Sequence, residues 1–418
     1  VTVVQRDLFV RWFDELAAIG PTPAGGWRRF AWTAEDRQAR LWFRRVAGSL
    51  DLDVEADRNG NLWAWWRRAG GMGRPGEPGA VVTGSHLDTV DEGGAYDGAL
   101  GVVSGFAAVD DLRRRHGTGA PPHPIAVVAF ADEEGGRFNL PCFGTRLMTG
   151  ALDPADVLDR VDADGVTLGA ALEQARDVDP DDLGRDPRRL AAIDAVVELH
   201  VEQGRALVDR GLPLAVATVM WPHGRWRLEL TGEANHAGTT RLRDRRDPAM
   251  VAAYAVLAAR ARAQREGMVA TVGRLQASPD SSNSVPGRVT AVLDARAPGD
   301  GLLDHFVDGW AAFVRERAAE QDVEVEITCE ARTAGVEFSG NLHDRIVRRL
   351  QGSGVGIASL ATAAGHDAGV LAHHVPAAML FVRNPTGASH TPRESASEDD
   401  CITGAAALAS VLEDLAWR

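Results

Sequence analysis

Cysteine is scarce in this chain. The 418 residues hold three, Cys142, Cys329 and Cys401. They are far apart and odd in number, so no disulfide framework is expected and a reducing compartment suits them. None forms a CxxC pair, which makes a thiolate metal site improbable. A basic excess is also missing: 45 basic residues against 59 acidic ones leave a net charge of −14. Nucleic acid and anionic membranes both need a basic face, so neither is expected as a partner. No stretch approaches the roughly eighteen uncharged apolar residues of a membrane span. The opening "VTVVQRDLFVRWFDELAAIG" reads as an amphipathic helix with charges inside it, without the unbroken apolar core of a signal peptide. Cytoplasm is therefore the expected location. Internal repeats and low-complexity tracts are absent as well.

What remains is a globular composition, 45% hydrophobic and 25% charged. The length exceeds one ordinary core, which predicts two domains. Residues 1–50 read as two helices, followed by a strand–turn–strand around the Asn-Gly of "LDVEADRNGNLWAWW". "GMGRPGEPG" (71–79) reads as a loop, and 151–192 as an acidic, mostly helical stretch. Four short apolar runs, "AVVTGSH", "HPIAVVAFADEEGG", "IDAVVELHVEQG" and "PAAMLFV", read as buried strands. Alternating with helices, they imply an α/β fold with a largely parallel sheet flanked by helices. Residues 214–328 have another rhythm, βαββαβ, the split ferredoxin-like α+β arrangement. We read them as a domain inserted into a first domain made of 1–213 and 329–418.

Each apolar strand leads to a residue able to bind metal: His86, the pair Glu133–Glu134, His200, and His390 after a loop. Ligands of open α/β sheets bind beyond the carboxyl ends of the strands, so residues more than 300 positions apart can converge there. Asp97 follows His86 by eleven residues, and "TGSHLDTVDEGGAYDGALG" crowds acidic groups around that histidine. Singly, each has an ordinary reading: Asp97 as a helix cap, Glu133–Glu134 as solvated surface, His200 as a core histidine. Together, His86, Asp97, Glu134, His200 and His390 make a nitrogen and oxygen donor set suited to Zn, Mn, Co or Ni. Five ligands exceed what one catalytic zinc uses while keeping an open position. They suit two ions sharing a carboxylate, about 3.5–4 Å apart around a bridging water. One of the paired glutamates can bind metal while the other shuttles a proton. Asp88, two residues after His86, is placed to hold the other ring nitrogen of His86.

The stretches "GSHLDTVDEGGAYDGALGV", "DEEGGRF", "FGTRLMTG", "ELHVEQG", "GEANHAGTTRLRDRRD", "NSVPGRVTAVLDAR", "GHDAGVLA" and "GASHTP" together resemble the di-metal amidohydrolases of the aminoacylase/carboxypeptidase superfamily. Within it they resemble the amidase/hydantoinase/carbamoylase branch, which holds N-carbamoyl-L-amino-acid hydrolases, allantoate amidohydrolases and β-ureidopropionases. The resemblance runs from about residue 25 to the C-terminus. It implies a di-zinc exopeptidase-like fold with an inserted dimerisation and lid domain, and two divalent ions, zinc first. By its motifs His86 and His200 hold one ion, Glu134 and His390 the other, and Asp97 bridges them. Glu133 is the general base and Asp88 supports His86. His236 stabilises the oxyanion, Asn283 and Arg296 grip a substrate carboxylate, and Gln203 meets the ureido group. In a homodimer, His236, Asn283 and Arg296 reach the partner's site. The expected reaction is hydrolysis of a linear amide or ureido C–N bond in a small acid, by hydroxide bridging the two metals. A dipeptidase or N-acyl-amino-acid deacylase with the same ions is the alternative. Arg241 after the two threonines of "HAGTT", and Asn384-Pro385 before Ser389, depart from the branch's usual pattern near the expected substrate position.

Overall fold

Four strands, buried throughout except at Asp194, form the centre of the first unit because their residues are mostly apolar on both faces. In the computed structural model, which describes residues 4–68, 79–175 and 178–417, these strands lie side by side and parallel. Their order is Ile125–Phe130, Ala80–His86, Ile193–Val201, Ala377–Val382. His86 pairs with Phe130 and His200 with Phe381, so the carboxyl ends are level. Antiparallel strands extend both sides: Leu62–Trp66 and Asp53–Ala56 on one, Leu214–Met220 on the other. The sheet is thus mixed, with a parallel core.

Helices Ala99–His116 and Glu398–Ala416 pack on this sheet, joined by Arg6–Ala17 and Ala34–Ser49. Phe106 is their common contact, with the rings of Trp12, Trp42 and Phe43 at 6.3, 6.1 and 4.9 Å. The last helix starts sharply because Ser397 accepts from the Asp400 N–H while Glu398, Asp399 and Asp400 fill its first turn. The stretch after residue 150 is less helical than its pattern implies. Among its described residues only Leu168–Ala175 and Pro187–Ala191 are α-helical, with a short turn capped by Asp153 before the first and another capped by Asp179 between them. Its many Asp-Pro and Gly signals favour turns over a continuous helix. The expected loop over 71–79 lies, except for Gly79, outside the described residues.

The second unit comprises Val219–Val336 and Ala361–Gly365. Its antiparallel sheet has the order Glu324–Thr333, His223–Thr231, Arg288–Arg296, Val269–Ser278. Burial alternates along His223–Thr231 and Arg288–Arg296, as one covered face requires. Helices Pro248–Glu266 and Asp300–Glu320 supply the cover, with Trp310 buried and its indole N–H donating to the Ala255 carbonyl at 3.0 Å. Strand order and connections are ferredoxin-like. Among the described residues no helix is long and apolar enough to cross a membrane.

Candidate metal centre

The level strand ends bring the donors of the first unit together. Asp97 sits among them with one oxygen toward two histidines: Oδ1 is 3.3 Å from His86 Nε2 and 3.0 Å from His200 Nε2. Its Oδ2 is 3.5 Å from His390 Nε2, which is also 3.4 Å from Glu134 Oε2. His86, Asp97 and His200 are buried, whereas the His390 side chain is 47% exposed. Two triads suited to a cation, His86–Asp97–His200 and Asp97–Glu134–His390, therefore share one carboxylate. A third, His86–Glu133–Glu134, adds the neighbouring glutamate.

Backbone geometry aims these groups. Asp97 does not cap the helix that follows; Gly98 holds that position without a side-chain bond. Gly98 has φ +65°, and a Cβ there would fall 2.5 Å from the His86 ring, so a glycine is required. The turn it makes frees the Asp97 carboxylate to face the histidines. Asp88 also differs from expectation. His86 Nδ1 lies 3.0 Å from the Asp88 backbone carbonyl, and the Asp88 carboxylate is 3.7 Å away. That carboxylate instead accepts the backbone N–H groups of Glu133 and Glu134, at 3.2 and 3.0 Å. Asp88 thus anchors the turn carrying both glutamates, while its main chain orients His86.

The protonation pattern fits a cation. His86 Nδ1 donates to a carbonyl, and His200 Nδ1 donates to the Val201 carbonyl at 2.8 Å. In neutral rings both Nε2 atoms then turn lone pairs toward the same carboxylate oxygen, with only the Gly98 N–H donating to His200 Nε2 at 3.3 Å, which is unfavourable unless positive charge lies among them. His86 Nε2 and Glu134 Oε1 are buried without a hydrogen-bond partner. Burial pushes Glu133 and Glu134 well above the usual carboxylate range, reinforced by each other's neighbouring acids. Burial opposes a charged His86, yet Glu133, Asp97 and Asp88 hold its pKa well above the usual histidine range. A divalent cation supplies the charge these donors otherwise take from protons, so the residues fit metal ions.

Comparison with known proteins agrees with this geometry. The model of peptidase family M20/M25/M40 matches residues 82–414. The chain belongs to that family. An N-carbamoyl-L-amino acid amidohydrolase of Geobacillus stearothermophilus is 36% identical over 422 residues, covering 99% of both chains. An allantoate amidohydrolase of Bacillus subtilis is 31% identical over 414 residues, covering 98% of this chain and 97% of that one. The crystal structure of an amidase of the hydantoinase/carbamoylase family from Burkholderia multivorans superposes with TM-score 0.86 at 29% identity, over 100% of this chain and 99% of that one. M20 hydrolases are metal-dependent, which is what the shared-carboxylate cluster suits.

The remaining candidates of this M20 chain fall in two places. Gln203 lies at the centre: its Nε2 donates to Asp97 Oδ2 at 2.9 Å and Ser389 Oγ at 3.0 Å, leaving Oε1 buried without a partner. His236 and Asn283 lie in the second unit on a small ribbon, where Asn235–His236 pairs with Ser284–Val285. His236 is exposed, and its Nδ1 accepts from the Gly238 N–H at 3.0 Å, so in the neutral ring Nε2 carries the proton. Arg296 is not with them. The strand Arg288–Arg296 begins just past the ribbon and ends at Arg296, about eight residues or roughly 26 Å of extended chain away. There Arg296 donates to Asp294 at 3.0 Å and to the Ala363 carbonyl at 2.8 Å.

Three further buried polar groups line the centre: His366, which the sequence reads as a structural member of "GHDAGVLA", and Glu198 and Glu394, which the sequence does not single out. Glu198 accepts from Ser85 Oγ at 2.6 Å and the Ala368 N–H at 2.9 Å, locking strands and helix behind His200. His366 packs on His200 with ring centroids 4.6 Å apart. Glu394, four residues after His390, accepts the N–H groups of Tyr96 and Asp97. Its burial, with the charge of Asp97, pushes it up to about 7. Nothing but its nearness to "GASH" marked Glu394 in the sequence.

Proposed function

We propose that this M20-family chain is an amidohydrolase of small ureido acids, cleaving the linear C–N bond of an N-carbamoyl-L-amino acid or an allantoate-like compound. The observation that carries the reading is near full-length similarity to amidohydrolases of both kinds, in a chain that gathers a metal-capable donor set beside Glu133. Two divalent ions, zinc first and manganese, cobalt or nickel otherwise, would be held by His86, His200, Glu134, His390 and the shared Asp97. When bound, they supply Lewis acidity at the scissile carbonyl and make water a better nucleophile near neutral pH.

The chain's own residues do the rest. Glu133 takes a proton from the attacking water and returns it to the leaving nitrogen. Gln203 offers Oε1 to a ureido N–H. His236 donates from Nε2 to the oxygen on which charge develops. Arg296 meets the substrate carboxylate with its planar fork, aided by Asn283. For an N-carbamoyl substrate, water and the ureido group give the amino acid and carbamate, which falls to ammonia and carbon dioxide. We infer that one substrate takes Arg296 from one chain and His236 with Asn283 from a second, a reading that the separation of Arg296 from the ribbon supports. This is why we propose a working homodimer in which the inserted domain serves as lid. Its three cysteines are free, in keeping with a reducing, cytoplasmic setting.

Ammonia release from a panel of N-carbamoyl-L-amino acids and allantoate tests the substrate class. N-acetyl amino acids and dipeptides form the control arm. Turnover confined to the control arm makes the protein a deacylase or dipeptidase and removes the ureido reading.

A further inference from the structure

We propose that Glu394 is a positioning residue for the metal centre, a clasp that fixes the Asp97 turn and ties it to the loop carrying His390. The inference rests on the reading of Asp97 and His390 as ligands. Glu394 Oε1 accepts two adjacent backbone N–H groups, from Tyr96 at 3.0 Å and Asp97 at 2.9 Å. Its other oxygen lies 3.3 Å from Ser389 Oγ, which is also 3.3 Å from Asp97 Oδ2. One carboxylate thus engages the main chain of the shared ligand and the residue preceding His390. The side chain is 5% exposed.

The seat is built to admit it. A Cβ on Gly94 would fall 2.1 Å from Glu394 Oε1 and 2.6 Å from its Cβ, so only a glycine lets the carboxylate reach the turn. Without the clasp, two inward-facing N–H groups lose their acceptor, a cost that reorients the turn or admits water. Either result moves the one carboxylate that both triads share. Groups that hold a ligand in place typically matter 10- to 100-fold in metal affinity. Gln keeps an acceptor at Oε1 and can donate to Ser389 Oγ. The clasp therefore depends on the shape and acceptors of the side chain rather than on its charge alone.

The test uses the full chain, first without metal. Amide hydrogen exchange at Tyr96 and Asp97 is expected to speed up in Glu394→Ala and stay near wild type in Glu394→Gln. Zinc or cobalt affinity, measured by competition with a chromophoric chelator, should fall about 10- to 100-fold in Glu394→Ala and within a few-fold in Glu394→Gln. Gly94→Ala, which evicts the carboxylate, should behave as Glu394→Ala. If the alanine variant does not fold, Glu394→Asp, too short to span both contacts, carries the same expectation. Unchanged exchange and affinity in a folded Ala or Asp variant overturns the clasp, as does a Gln variant as damaged as Ala. Loss of metal affinity in a protein whose wild type releases no ammonia from ureido acids would leave the clasp standing and sink the proposed substrate class.

Discussion

Carboxylates in the first unit meet two different fates. Glu55, on the strand Asp53–Ala56, faces Arg189 at 2.6 Å and accepts from the Trp65 indole at 2.9 Å. Asp400 takes a forked pair of bonds from Arg383 at 2.9 and 3.0 Å, and Asp162 meets Arg137 at 2.9 Å. At the strand ends Asp97, Glu133 and Glu134 have no arginine at ion-pair distance among the described residues; the ion-pair partners they do have are histidines. For Glu55, Asp400 and Asp162 the chain provides a guanidinium. Where it gathers the most carboxylates, it provides none. The contrast teaches that the centre is completed from outside the polypeptide, because buried uncompensated anions are too costly to persist.

Chelation breaks the contrast most severely. Removing divalent ions from purified protein should abolish ammonia release, and zinc, manganese or cobalt should restore it. It should also lower thermal stability, since ions at a hundred times their Kd contribute about 2.7 kcal/mol. Persistent activity and an unshifted melting temperature in metal-free protein would mean that protons alone satisfy the centre. Glu133→Gln comes next. It removes the proton carrier but none of the proposed ligands, so kcat should fall about 10²- to 10⁴-fold at unchanged metal content by elemental analysis. A parallel loss of metal would instead make Glu133 a ligand.

His236→Ala and Arg296→Ala sharpen the comparison from the second unit, whose polar residues are proposed to act on a partner chain's substrate. Losing an oxyanion donor should cost about 10²- to 10³-fold in kcat. Losing Arg296 should act mainly on KM. Mixing the two inactive variants is more telling. If a site draws His236 and Arg296 from different chains, mixed dimers hold one intact site and activity returns. If both come from the same chain, mixing restores nothing.

Much of this was legible in the sequence, for physical reasons. The parallel core showed because strands buried on both faces are continuously apolar and close on polar residues at their ends, as "AVVTGSH" and "IDAVVELHV" do. The split arrangement of the second unit showed because its strands alternate in burial and its helices do not. What failed was local and directional. Spacing placed Asp88 beside His86, but period-two logic cannot tell a side chain from its own carbonyl, and the carbonyl took the contact. Asp97 had the residue type of a helix cap, yet Gly98 intervenes with a positive φ. Arg296 and Asn283 were grouped by motif, and only the register shows a whole strand between them. Glu394 needed the fold, since its partners are 297 and 298 residues away.

The smallest expected effect tests the other half of the comparison. Burial pushes Glu55 up, but the hydrogen bond and charge of Arg189, with Arg67 and Trp65, outweigh it and leave the carboxyl below its ordinary range. A carboxylate lowered in the folded state adds stability that is present above its unfolded pKa, about 4.3, and is lost as pH falls through its folded value. Arg189 also lies over the Trp63 and Trp65 rings, at 4.9 and 5.7 Å, so Arg189→Met keeps much of the packing and removes the charge. Because the pair is partly exposed, the variant should lose only about 0.5–1 kcal/mol near neutral pH. The deficit should shrink toward zero as pH falls through the lowered folded-state value, below which the wild-type carboxylate is itself protonated. Urea unfolding of both proteins from neutral to acid pH measures it. A deficit constant with pH would assign the loss to packing on the tryptophans, and Glu55 would then no longer exemplify a carboxylate satisfied from within.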